Sequence, residues 1–185
     1  MRRFVDRGAI TAAYVGIGMA VTVAISFLLI IPIEPVVWLL ALPSGLLIGY
    51  YANQRSGRGP GPWGRLLSNA LLAAFATGLT MALLLLAVKA LFFFADNGYR
   101  DPGLGGSIVC ASGPECVYFR YLEIDGRGEL LEAAGVTDVD AFTSFYWSQQ
   151  FQAAGLILVL TTVGGAGGAA IYGVTRPKRT TPAAA

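Results

Sequence analysis

The chain has no histidine, which removes histidine-ligated haem, histidine-containing zinc sites and any nucleophile that relies on an imidazole base. It also lacks a Gly-Lys-Ser/Thr loop that could cradle phosphates, and no pair of aspartates falls inside an apolar run. One hydrolytic pairing is available, Ser44 with Lys89, but Ser44 falls about 12 Å below the helix end near which Lys89 lies. No catalytic residue, cofactor or metal site is therefore expected. Charge is scarce, at 13% of residues against 55% hydrophobic. A water-soluble chain of 185 residues would have more apolar surface than its interior could hide.

The apolar residues are gathered into four runs, 9–31, 36–52, 66–94 and roughly 151–174. Each is near or above the ~20 residues a helix needs to cross ~30 Å of hydrocarbon. The expected fold is an all-α integral membrane protein: a four-helix transmembrane bundle with a small extracytoplasmic segment, a short β-hairpin plus a helix, between helices 3 and 4. The corresponding division is a cytoplasmic N-terminus at 1–8, a transmembrane hairpin at 9–52, a cytoplasmic loop at 53–65, helix 3 at 66–94, the extracytoplasmic segment at 95–147, helix 4 at 148–174 and a cytoplasmic tail at 175–185. A cleaved signal peptide would need a shorter apolar core followed by a small-x-small site, so the first run reads as a retained anchor.

Charge is sorted along the chain. Arg2, Arg3, Arg7, then Arg55, Arg58, Arg65, then Arg176, Lys178, Arg179 lie in segments that contain one acid, Asp6. Residues 96–148 hold nine acids against Arg100, Arg120 and Arg127, a balance of −6. Four spans put both termini and the loop after the second run on one side, and the positive-inside rule makes that side the cytoplasm of a cell membrane. A basic fringe beside anionic headgroups needs no nucleic acid as partner, and membrane lipids are the expected surroundings. Trp38, Phe92 to Phe94, Tyr146 and Trp147 would line one interface and Tyr50, Tyr51, Trp63 and Tyr172 the other.

Between the third and fourth runs, Ser107 to Cys110 and Cys116 to Leu122 read as strands around a Gly-Pro turn, with a Cys110–Cys116 disulfide as staple. Glu129 to Ala134 reads as a helical stretch stopped by Gly135, and Asp138 or Asp140 as the cap of a helix that enters the fourth run. Within the runs, small residues recur four apart, which allows helix backbones to approach closely. The packing candidates are Gly16, Gly45, Gly49, Ala74, Gly78, Gly164 and Gly168. Pro43, followed by Ser44 and Gly45, is expected to kink or interrupt the second span. Lys89 falls near the outer interface, where it can snorkel or pair with Glu34. Thr77, Thr80, Thr161 and Thr162 are expected to bond the preceding turn of their own helices.

Four helices with internal termini and a cysteine-bearing third loop resemble, in outline, bacterial inner-membrane disulfide-bond oxidases and tetraspanins. The oxidases carry Cys-x-x-Cys in the first outer loop, where this chain has Pro32 to Pro35, and tetraspanins carry Cys-Cys-Gly, where this chain has separate Cys110 and Cys116. Shared outline does not carry function. The expected function is a non-catalytic accessory or scaffold subunit that associates with other membrane subunits or with itself. The alternative is a small transporter, channel or lipid-handling protein that uses the second helix with Lys89 and Glu34.

Overall fold

The computed structural model describes residues 6–30, 34–56, 62–95, 110–123 and 125–175, with backbone alone at 29, 30 and 34. Helix accounts for 88% of them, and no strand occurs among them. The order is α1 (Arg7–Ala24), continuing as a π-helical segment Ile25–Ile30, then α2 (Glu34–Gln54), α3 (Trp63–Phe94), α4 (Pro114–Glu123), α5 (Gly128–Ala133) and α6 (Val139–Thr175). Four of these helices are long and apolar enough to cross a membrane: Arg7–Leu28, Pro35–Gln54, Trp63–Phe94 and Val139–Thr175.

The chain divides into two compact units, residues 1–82 with 156–185, and residues 83–155. Both α3 and α6 contribute to each. Unit 1 takes about 20 residues from α3 and about 20 from α6, some 30 Å of helix each, matching the lengths of α1 and α2. Its buried line on α1 is Gly8, Ala9, Ala12, Gly16, Ala20 and Ala24, with Leu28 following in the π-helical segment. A line repeating every fourth residue with such small side chains brings neighbouring backbones close.

Unit 2 is built differently. Its core is Phe93, Leu131, Val136, Phe142 and Tyr146, with Val117, Tyr118, Tyr121, Leu122, Phe145 and Trp147 packed around it. Phe93 stacks on Tyr146 with ring centroids 4.6 Å apart, and Tyr118 and Tyr121 each meet Phe142 at 5.1 Å. Phe93 and Tyr146, expected from sequence to line a membrane interface, are buried inside this core.

The expected strand from Cys116 to Leu122 is corrected by the structure, because those residues lie in α4; residues 107–109 of its partner are outside the described set. Val, Tyr and Phe favour strands in isolation. Their inward positions, however, are 117, 118, 121 and 122, which is the spacing of one helical face. Pro114 at the first helical position and Glu115 in the first turn suit a helix start. The short helix α5 ends at Gly135, whose φ of +71° is the left-handed value glycine tolerates. The Val136 amide then bonds back to the Leu131 carbonyl at 2.9 Å, and the two side chains meet in the core. Asp138 accepts the Ala141 amide at 2.8 Å and so caps α6.

Candidate functional site

The small residues of unit 1 lie at three helix contacts. At α2 against α6, a Cβ added to Gly45 would overlap the Thr161 carbonyl, and one on Gly49 the backbone of Gly165. In return, a Cβ on Gly164 would meet the Leu42 carbonyl, and one on Gly168 the Leu46 carbonyl and the Tyr50 amide. The two glycine pairs interdigitate, each occupied by the other helix's backbone. At α3 against α6, Gly78 faces the Thr161 side chain, and Gly165 faces Ala74 and the Ala70 carbonyl. At α1 against α3, Gly16 faces the Thr77 hydroxyl. All seven packing candidates from the sequence therefore sit at contacts within this one chain. The hydroxyls of Thr77, Thr80, Thr161 and Thr162 donate to the carbonyls of Ala73, Ala76, Ile157 and Leu158. Each hydroxyl proton is taken up by its own helix, as expected from the sequence.

Among the described residues, a second glycine set has no such occupant. Gly18, Gly155 and Gly167 are helical, and a Cβ on any of them would find nothing within 4 Å. On α6, Phe151, Gly155, Val159, Val163, Gly167 and Ile171 follow one another at intervals of four, and none of them is buried. The sequence stripe at Gly164 and Gly168 drew attention to the occupied face of α6 and away from this outer ridge.

The end of unit 1 where α1 begins carries a polar knot that sequence reasoning did not find. Arg65 donates from Nη2 to Asp6 Oδ1 at 2.6 Å, Asn69 Oδ1 accepts the Asp6 backbone amide at 3.1 Å, and Asn69 Nδ2 reaches Asp6 Oδ2 at 3.4 Å. Burial of Asp6 raises its pKa. Hydrogen bonds from Arg65 and Asn69, the Arg65 charge and a bond from Ser56 outweigh that, so the carboxyl lies below its ordinary value. Asn53 donates to the carbonyls of Gly49 at 3.2 Å and Leu66 at 3.0 Å, tying the end of α2 to the start of α3. The signal was present as two asparagines, Asn53 and Asn69, at the ends of otherwise apolar helices. Both are 1% exposed, a burial that an amide tolerates only with partners.

Pro43 lies inside α2, which is helical without a break from Glu34 to Gln54, so the second span is not interrupted there, and an unbroken helix is compatible with the expected kink. Proline removes one backbone donor, but the helix presents no pair of half-helix ends. Lys89 lies in the part of α3 that belongs to unit 2 and is partly buried. The Glu34 side chain, and with it the expected pair, is outside the described set. Cys110 and Cys116 are adjacent, with Cα atoms 5.6 Å apart, the separation of a disulfide; Cys116 is buried in the first turn of α4.

Comparison with protein-family models, curated proteins and solved structures finds no match.

Proposed function

We propose that this chain is a non-catalytic, multi-pass subunit of a cell membrane that docks another membrane helix, from a partner or a second copy, along the outer ridge of α6. The carrying observation is the contrast between the two glycine sets. A glycine inside a helix costs about 1 kcal/mol relative to alanine. Gly45, Gly49, Gly164 and Gly168 offset that cost through backbone contacts. Gly155 and Gly167 have no offset among the described residues, and a second helix lying along Gly155, Val159, Val163 and Gly167 would supply it. The seven sequence candidates do not support docking, since their contacts are internal.

In the same reading, the basic segments put both termini in the cytoplasm, and residues 95–147, within unit 2, are the extracytoplasmic segment, stapled by Cys110–Cys116 where disulfides persist. The length of helix in unit 1 supports this, because about 20 residues per helix is what the hydrocarbon core requires. The unbroken α2 favours the subunit over a small transporter, channel or lipid-handling protein built on half-helix ends with Lys89 and Glu34. Solute flux through purified chain in liposomes, abolished by changing Pro43 or Lys89, would reverse that preference.

The test is migration on native gels after mild-detergent extraction at native expression levels. Wild type should run as a complex, and Gly155→Leu with Gly167→Leu should release a folded monomer. A clean wild-type monomer would sink the proposal, as would a complex indifferent to both substitutions.

A further inference from the structure

The two ends of α4 are fastened by different means. The helix has ten residues, too few to stay helical in water without outside help. Its C-terminal end is closed by backbone bonds: the Asp125 amide donates to the Arg120 carbonyl and the Arg127 amide to the Tyr121 carbonyl, each at 2.9 Å. The Arg127 guanidinium carbon also lies 5.0 Å from the Tyr121 ring centroid. At the other end, Gly113 has no side chain with which to cap the first turn. The bond from the Val117 amide to the Gly113 carbonyl is long at 3.3 Å. The fastening there is covalent, a bridge from Cys116 in the first turn back to Cys110, six residues earlier.

That bridge is reachable from one side. Cys110 is partly exposed, and Ala111, Ser112 and Glu115 beside it are exposed, whereas Cys116 is buried. Accessible disulfides are the more easily exchanged ones. The closed loop reverses at Gly113, whose φ of +141° is a conformation that glycine takes freely. Immediately after the bridge come the first two side chains that α4 packs against the core of unit 2, Val117 and Tyr118, the second with its ring centroid 5.1 Å from that of Phe142. Opening the bridge therefore acts first on these contacts.

We propose that Cys110–Cys116 is a redox switch: reduction by an external dithiol frays the first turn of α4 and undocks Val117 and Tyr118 from Phe142, while Tyr121 and Leu122 stay in place. One thiolate of the dithiol attacks Cys110 Sγ and breaks the S–S bond, and Cys116 leaves as a thiolate that takes up a proton. The second thiol then displaces Cys110, and the reductant departs as its own disulfide. Two electrons and two protons pass to the protein. The bridge persists in an oxidising compartment until such a dithiol is supplied. Phe142, fully buried while the bridge is closed, distinguishes the two states. The proposal does not rest on the subunit reading, since every group it uses lies within residues 110–146.

The test is amide hydrogen exchange on full-length protein in mild detergent, before and after dithiothreitol, with thiols counted by alkylation under native conditions. Both cysteines should become alkylated without denaturant. Exchange at residues 117–119 should then rise by at least about tenfold, while residues 121–123 and 142–146 keep their protection. C110S/C116S should match the reduced wild type and ignore dithiothreitol. Alkylation only after denaturation would overturn the proposal, because the bridge would then be a staple. Unchanged exchange at 117–119 in the reduced protein would do the same, as would equal loss of protection from 117 through 146, which marks melting of the whole core. Should C110S/C116S fail to fold, the reduced wild type decides by the same readout.

Discussion

Unit 1 brings its helices closest together at the smallest side chains in the sequence, whereas unit 2 closes its core with some of the largest. In unit 1, Gly45 and Gly49 admit the backbone of α6, while Gly164 and Gly168 admit that of α2. In unit 2, Phe93, Phe142 and Tyr146 close a core with rings from α4 and α6 around them. Burying large rings is stabilising when the alternative is water. Among lipid tails that driving force is absent, and close backbone contact takes its place. The difference in side-chain size is thus what two different solvents would select.

The largest expected effect lies in the aromatic core. Phe142→Ala removes a fully buried ring and should cost about 3–5 kcal/mol, seen as loss of the tertiary signal of unit 2 in thermal or denaturant unfolding. If the helices of unit 1 melt in the same step with the same loss, the two units are not separate folding regions, and the comparison weakens. Gly45→Ala should come next, at about 1–3 kcal/mol for overpacking against the Thr161 carbonyl, less what alanine returns in helix propensity. Gly155→Ala serves as its control and should leave the isolated chain unchanged or slightly more stable. Equal effects at both positions would erase the distinction between occupied and open glycines.

The smallest effect concerns the polar knot. The folded pKa of Asp6 is depressed, so its contribution is present at neutral pH and fades as pH falls through and below the ordinary carboxylate range. Asp6→Asn should remove about 1 kcal/mol at pH 7 and flatten the acid limb of the stability profile. A wild-type acid limb unchanged in Asp6→Asn would show that the Asp6–Arg65 pair contributes nothing.

The long helices were legible in the sequence because a run such as 66–94 has one reading at that length and hydropathy. The cap at Asp138 and the stop at Gly135 were legible because each is a local device. The Cys116 to Leu122 stretch was misread because β-branched and aromatic residues carry strand propensity, whereas the deciding information is which of them face Phe142, a residue some twenty positions away. The sorting of glycines into occupied and open sets was hidden for the same reason. Gly164 and Gly167 differ by three positions on one helix, and only the neighbouring helix distinguishes them. The knot was hidden because Asp6, Asn53 and Asn69 look like unremarkable termini until three helix ends are brought together.

The most direct test of the central claim, that unit 1 is packed for lipid and unit 2 for water, is nitroxide accessibility in lipid nanodiscs. Spin labels would replace the exposed residues Leu47 and Val163 in unit 1 and Phe119 and Leu130 in unit 2. Labels at 47 and 163 should relax with dissolved oxygen and ignore a water-soluble nickel complex, while those at 119 and 130 should do the reverse. Strong collision with the nickel complex at 47 and 163 would contradict the claim.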